Sequence, residues 1–276
     1  MKHLVHLNFN PGLEKKTVKK LLFDLGINNY KDTEFSGFFT VILEKTDPAL
    51  DKLIYELKVQ GLHDKPLIRE EKIYTKRELD SAELIHIKST YTVGFKYRDK
   101  MEFDMSKVCP VCKRPTIQKS ELVIDKLKMG KKDIATTYDF EWVISERLAK
   151  ILRKNGFTGY DLFPVKHYTD KLKKESVLYQ LLATKTLSAL ALQTKIGGRK
   201  GLYCEKCGSG IDVNFEFYYN HHELDYTDFN KAREQFSNGT QLILSQNTYQ
   251  VFKKNKIRGL KYEPVLIINK DSRNQN

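Results

Sequence analysis

Residues 141–165 read EWVISERLAKILRKNGFTGYDLFPV, and residues 241–265 read QLILSQNTYQVFKKNKIRGLKYEPV. Aligned without gaps, Ser145 falls on Ser245, Lys154 on Lys254, Asn155 on Asn255, Gly159 on Gly259, Pro164 on Pro264 and Val165 on Val265. The apolar run Trp142-Val143-Ile144 meets Leu242-Ile243-Leu244. Each shared position has a mechanical task. Serine accepts backbone N–H groups at a helix start, glycine lets the chain turn back, and proline suits an edge position that needs no donor. The pattern predicts one strand–helix–strand unit used twice.

Each copy is preceded by a C-x-x-C pair and an extended stretch. The pairs are Cys109-Pro110-Val111-Cys112 and Cys204-Glu205-Lys206-Cys207, and they hold all four cysteines of the chain. The spacing turns two thiolates toward one ion, and two such knuckles complete the closed tetrahedral set of a structural zinc site. Lys113 and Lys206 lie beside the sulfurs and favour the thiolate. Gly208 gives the second turn its backbone freedom; Lys113 takes the matching place in the first. Two disulfides would need an oxidising compartment, and the opening Met1-Lys2-His3-Leu4-Val5-His6 is too short and polar for a secretory signal. A thioredoxin-like redox site would need one pair, not two. A four-cysteine ribbon usually separates its pairs by about 15–20 residues; here the gap is several times longer, which a duplicated unit explains. The expectation is one structural Zn²⁺ per chain, held by Cys109, Cys112, Cys204 and Cys207 near a pseudo-twofold axis. Four cysteines leave no open position for water or substrate, which argues against catalysis at the metal.

The 276 residues are 40% hydrophobic and 30% charged, ordinary for a soluble globular protein. No apolar run approaches the roughly 18 residues of a membrane span. With no signal either, the expected location is the cytoplasm, and no membrane partner is expected. The formal charge is +13 and the pI about 9.3. Residues 1–100 hold 18 Lys/Arg against 15 Asp/Glu, so the remainder carries +10. Such a balance admits a polyanionic partner, although lysine-rich surfaces also serve solubility.

Outward from the repeats, the fold class is α+β with two domains. Residues 3–9 alternate as a strand ending at Pro11-Gly12, and Val18, Leu21, Leu22 and Leu25 follow at helical spacing. Phe38–Leu43 reads as a strand, and Asp47-Pro48 opens a helix with Leu50, Leu53, Ile54 and Leu57 on its apolar face. A third strand covers about Leu67–Tyr74, and Ala82–Ile87 closes the segment. Residues 1–90 are therefore expected to form a small β-α-β-α-β domain. Residues 91–276 form the duplicated, metal-clamped domain, with units at about 105–165 and 200–268.

Between 91 and 103, aromatic and basic residues interleave, as a stacking and phosphate-contacting strand or as a half-exposed strand with buried aromatics. Lys96, Arg98 and Lys100 there, Lys131 and Lys132 in a basic turn, and Arg199 and Lys200 in a glycine-rich loop are the candidate contacts for a protein or nucleic-acid partner. That loop lacks P-loop spacing. Tyr179–Leu187 can be helix or strand, and the sheet-rich surroundings favour strand. His221-His222-Glu223 is not H-E-x-x-H and suits a polar turn. With no nucleophile elbow, Walker motif or Rossmann glycines, no enzyme is expected.

Two C-x-x-C pairs, each followed by a strand, a serine-capped helix and a G-x-x-x-x-P-V return, resemble the bacterial double-CXXCG proteins, related to immunity proteins of polymorphic toxin systems. Trp142–Leu148 with Gly159-Tyr160 and Pro164-Val165 carries most of the likeness, over about 101–268. Lys113 departs from the family's glycine; Cys207-Gly208 conforms. The resemblance implies a zinc-stabilised, non-catalytic protein that binds a protein partner, a cognate toxin, and blocks it. The competing expectation is a nucleic-acid-binding zinc-ribbon protein that uses its basic surface.

Overall fold

The structure, a computed structural model, describes residues 1–9, 14–32, 39–62, 66–106, 108–113, 118–125, 129–169, 177–194, 196–197, 204, 206, 212–213, 216–234, 236 and 239–268. The chain divides into two compact units, Met1–Lys76 and Arg77–Asn276. The first contains β1 (Lys2–Phe9), α1 (Glu14–Asp24), β2 (Tyr30–Asp32), β3 (Phe39–Glu44), α2 (Pro48–Val59) and β4 (Leu67–Ile73). Its sheet runs β2-β3-β1-β4 with every pairing antiparallel. Alternation in β1 sends Val5, Leu7 and Phe9 inward, and β3 sends Phe39, Val41 and Leu43 to the same core. Leu21 and Leu22 of α1 and Leu50, Leu53 and Leu57 of α2 close over that face, so both helices cover one side. The result is the split β-α-β arrangement of ferredoxin-like domains. As the sequence indicates, Asp47 caps α2, its carboxylate accepting from the Ala49 N–H at 2.9 Å. The short β2 goes beyond the three expected strands.

After α3 (Lys76–Ser81), the second unit contains β5 (Leu84–Ser89), β6 (Leu122–Ile124), β7 (Ile134–Thr136), β8 (Trp142–Ser145), α4 (Glu146–Lys154) and β9 (Tyr160–His167). Then follow β10 (Leu178–Ala183), β11 (Lys185–Thr186), β12 (Ile196–Gly197), β13 (Asp212–Val213), β14 (Tyr218–Asn220), β15 (Phe229–Lys231), β16 (Leu242–Ser245), α5 (Gln246–Lys254), β17 (Leu260–Pro264) and β18 (Leu266–Ile268). Two five-stranded sheets result, β6-β9-β10-β8-β7 and β11-β15-β16-β5-β17. They are built alike. In each, a short strand pairs with the strand that leads into a serine-capped helix, and the strand returning from that helix completes the set. In each, however, the strand between these last two belongs to the other copy.

The register makes the exchange explicit. In the first sheet Leu178 faces Ser145 and Tyr179 faces Pro164; in the second Leu84 faces Ser245 and Ile85 faces Pro264. Thus β5 does for the second copy what β10 does for the first. Residues 82–87, expected to end the N-terminal domain, instead lead into and form most of β5, which pairs with β16 and β17, and the boundary lies at Lys76/Arg77 instead of near residue 90. The repeats consequently start at β5 and β10, earlier than the expected 105 and 200. Tyr179 lies in a strand, as expected, because β10 is sandwiched between β8 and β9. The segment 91–103 forms no continuous strand: it makes isolated bridges at Thr92, Lys96 and Phe103 and a turn at Arg98–Lys100.

One central core is shared by both copies. Ile85, Ile87, Phe229, Leu244, Tyr249 and Phe252 pack there with Ile134, Ile144, Leu148, Leu152 and Leu181. Each sheet also covers a core of its own, with Val93, Leu122, Val143, Val165 and Leu178 in one and Leu187, Phe217, Ile243, Val265 and Leu84 in the other. Ser145 and Ser245 accept from Leu148 and Thr248 N–H at 3.2 Å each, the caps predicted from sequence.

Candidate metal centre

Both knuckles grow from matching ribbons. Phe103 bridges Gln118 around the first, and Ile196–Gly197 pair with Asp212–Val213 around the second. Cys109 and Cys204 are buried and occupy equivalent places, with their Sγ atoms 3.6 Å apart; Cys112 is exposed. The three sulfurs lie within 4.8 Å of one another, and all three cysteines are free thiols. A tetrahedral site with metal–sulfur bonds of about 2.3 Å separates its sulfurs by about 3.8 Å, whereas a disulfide needs about 2.05 Å. The 3.6 Å separation fits an edge of a metal tetrahedron. Three of the four expected ligands can therefore hold a metal ion; Cys207 lies outside the described residues. Among the described residues no other group of three His, Cys, Asp or Glu meets in this way.

Local backbone prepares the sulfur for an ion. The Cys112 N–H, aided by that of Val111, donates to the Cys109 sulfur, and with Cys204 and Cys112 nearby these contacts outweigh burial and bring the thiol to about 6. The Lys113 N–H closes the turn on Cys109 O at 2.9 Å. Lys113 takes φ 58°, the left-handed conformation that glycine prefers.

Two buried polar clusters mark equivalent strand positions. Gln180 of β10 exchanges bonds with Gln118 at 3.0 and 3.2 Å and donates to Glu141 at 3.2 Å. His86 of β5, its twin, lies 2.9 Å from Gln241 Oε1 and 3.4 Å from Glu263 Oε2. Burial holds the His86 imidazole below its usual range despite Glu263. Burial pushes the Glu263 carboxyl up, but His86 and Lys88 outweigh it and hold the group at about 2.

The expected partner contacts separate. The Lys96 side chain is buried, only 5% of it exposed, and is paired with Glu141, so this amine is withdrawn from any partner. The interleaved pattern misled because position 96 turns its amine inward to the Glu141 carboxylate. Lys100 is exposed, donates to Tyr168 O at 2.7 Å and lies over the Tyr168 ring. Lys131 is exposed and Lys132 half-buried beside Asp133. Arg199, Lys200 and the Arg98 side chain lie outside the described residues. His221–Glu223 form a short turn, with both histidines exposed. Among the described residues no helix is long and apolar enough to cross a membrane.

What sequence reasoning missed is the surroundings of Asp133. Its carboxylate accepts from Arg147 Nε at 2.8 Å and Nη2 at 3.0 Å, and from the Arg258 N–H at 3.0 Å. Arg147 Nη2 also reaches Asn255 O at 3.2 Å, so the start of α4 meets the end of α5. Sequence alone offers no signal for it, because the partners come from different repeats and meet only in the folded chain. Compared with protein-family models and with curated proteins, the chain matches none.

Proposed function

We propose that this chain is a non-catalytic, zinc-braced binding module whose partner is another protein, and that it acts as an immunity protein by blocking a cognate toxin. The observation that carries the reading is the meeting of Cys109, Cys112 and Cys204, one knuckle from each repeat, at sulfur spacing suited to a tetrahedral ion. An all-thiolate set selects zinc among abundant divalent ions and, once Cys207 joins, is closed to substrate. Its work is to tie the repeats together, leaving recognition to the surface. Metal analysis of the purified protein should return about one zinc per chain. Metal-free protein with an intact fold overturns the brace. The partner is tested by co-expression with a toxin encoded beside this gene: restored growth is expected, and undiminished toxicity overturns the immunity role.

A further inference from the structure

Around Asp133 the two repeats differ. Three segments bring six cations to one corner: Lys131 and Lys132 before β7, Arg147 on α4, and Lys254, Lys256 and Arg258 at the end of α5. Lys132 packs close to Gly259, next to Arg258. All but Lys132 are exposed, and among the described residues only Arg147 has an anionic partner. The twin corner is built around Asp228, which accepts the Thr158 N–H at 3.0 Å and hydroxyl at 3.1 Å. There the equivalent positions are Tyr226, Thr227, Asn247, Lys154, Gly156 and Thr158, with a single cation. The twin turn closes on Thr158 with a single cation, so of the six charges here only Arg147, which satisfies the buried Asp133 carboxylate, has a structural partner to serve among the described residues. Lys256 also keeps φ 51° where its twin, Gly156, sits at 63°. A lysine thus stands at a position whose backbone suits glycine, and strain of that kind is found where the side chain serves a task.

We propose that this corner binds the phosphate backbone of double-stranded nucleic acid. Four of the six cations are lysines, no exposed aromatic side chain lies in the three segments, and no apolar anchor sits among them. Cores of protein interfaces are depleted in lysine and rich in aromatic anchors, and single strands are held by stacking platforms. Lysine and arginine without such anchors match sequence-independent contact with phosphates. The proposal stands apart from the protein-partner reading, since none of these cations belongs to the cysteine cluster.

The test is fluorescence anisotropy with a labelled 20-base-pair duplex DNA and the full-length protein between 50 and 200 mM salt. Five unpaired cations give a log–log salt slope of about −4 to −5. Lys256→Glu with Arg258→Glu should weaken binding more than about tenfold at 50 mM salt and flatten the slope by about 2. Lys154→Glu, at the twin corner, should change it less than about twofold. Lys256→Gly should weaken binding while melting no lower than the parent, which separates lost contact from lost fold. Absence of binding at 50 mM salt overturns the proposal, as does an equal loss from Lys154→Glu. Retention of polyglutamate but not of DNA, with the same Lys256 and Arg258 dependence, overturns it in favour of an acidic protein. Zinc content is read on every variant, so failure here is distinguishable from failure of the brace.

Discussion

Lys113 and Lys256 both hold a left-handed backbone, and each stands where the other repeat carries glycine, Gly208 and Gly156. An L-residue there costs about 1–2 kcal/mol, partly offset by the entropy a glycine would lose on folding. Lys113→Gly and Lys256→Gly should each stabilise by roughly 0.5–1 kcal/mol, seen as a higher urea midpoint; a lower midpoint would mean that the lysine packs favourably. His86 and Glu263 set a pH dependence. Burial lowers the imidazole's folded pKa, so its contribution is complete above the ordinary 6.5 and falls away on acidification. Glu263 is depressed from 4.5 to about 2, so its contribution is present above 4.5 and disappears as pH falls through 2. Both signs make acid destabilising. Because Gln180 fills the twin position, His86→Gln should cost only about 1 kcal/mol at pH 8 and remove the loss between pH 6.5 and 4.5. Parallel melting-temperature profiles for parent and variant over that window would refute the assignment.

The return turns after α4 and α5 are the elements on which the crossed packing depends. Gly259 holds φ 112°, and a Cβ there would meet Ile134 O at 2.1 Å; at Gly159 it would meet Thr227 Oγ1 at 1.9 Å and Phe229 O at 2.3 Å. Each contact belongs to the opposite repeat. Gly259→Ala combines a backbone clash with forbidden φ and should destabilise by about 3 kcal/mol or more. Ser145→Ala, losing only a cap, should cost about 1 kcal/mol. Chemical denaturation that ranks the serine variant below the glycine variant would break this account. These positions also show how much could be read beforehand. Ser145 as a cap, Gly159 with its positive φ and Pro164 in the return strand each answer a local backbone need, so their recurrence a hundred residues later was visible in sequence, as were the paired cysteines. That Gly159 also packs against the other repeat was not visible. Nor was the exchange. β5 (LIHIKS) and β10 (LYQLLA) share only a leading leucine, because any apolar strand can fill a slot buried on both faces. Lys96 was misread for the related reason that alternation reports which face a residue occupies, not whether Glu141 waits beneath it.

At the scale of the molecule, two repeats that each lend a central strand to the other cannot separate without opening both sheets. Gln180 and His86 are embedded in their hosts by ladders on both sides. Cysteines of the same two halves meet at a further point, where they can hold a metal ion. Removing the metal with a chelator should therefore lower the melting temperature of Arg77–Asn276 and leave that of Met1–Lys76, which contains no cysteine, within about 1 °C. Two calorimetric transitions, only one of them chelator-sensitive, check this. Cutting the chain is the sharper test. A protease site placed between β9 and β10 severs the only covalent route from the first repeat to the second. Were each repeat an independent domain held by its linker and metal alone, cleavage plus chelation would release two folded halves. With strands exchanged, neither half can complete its sheet alone, since each would leave open the slot that β5 or β10 occupies. The cleaved protein should elute as one species in native size exclusion, with or without chelator, and divide only in denaturant. Two smaller peaks in native buffer would mean that the halves do not depend on each other's strands, and with that the reciprocal architecture fails.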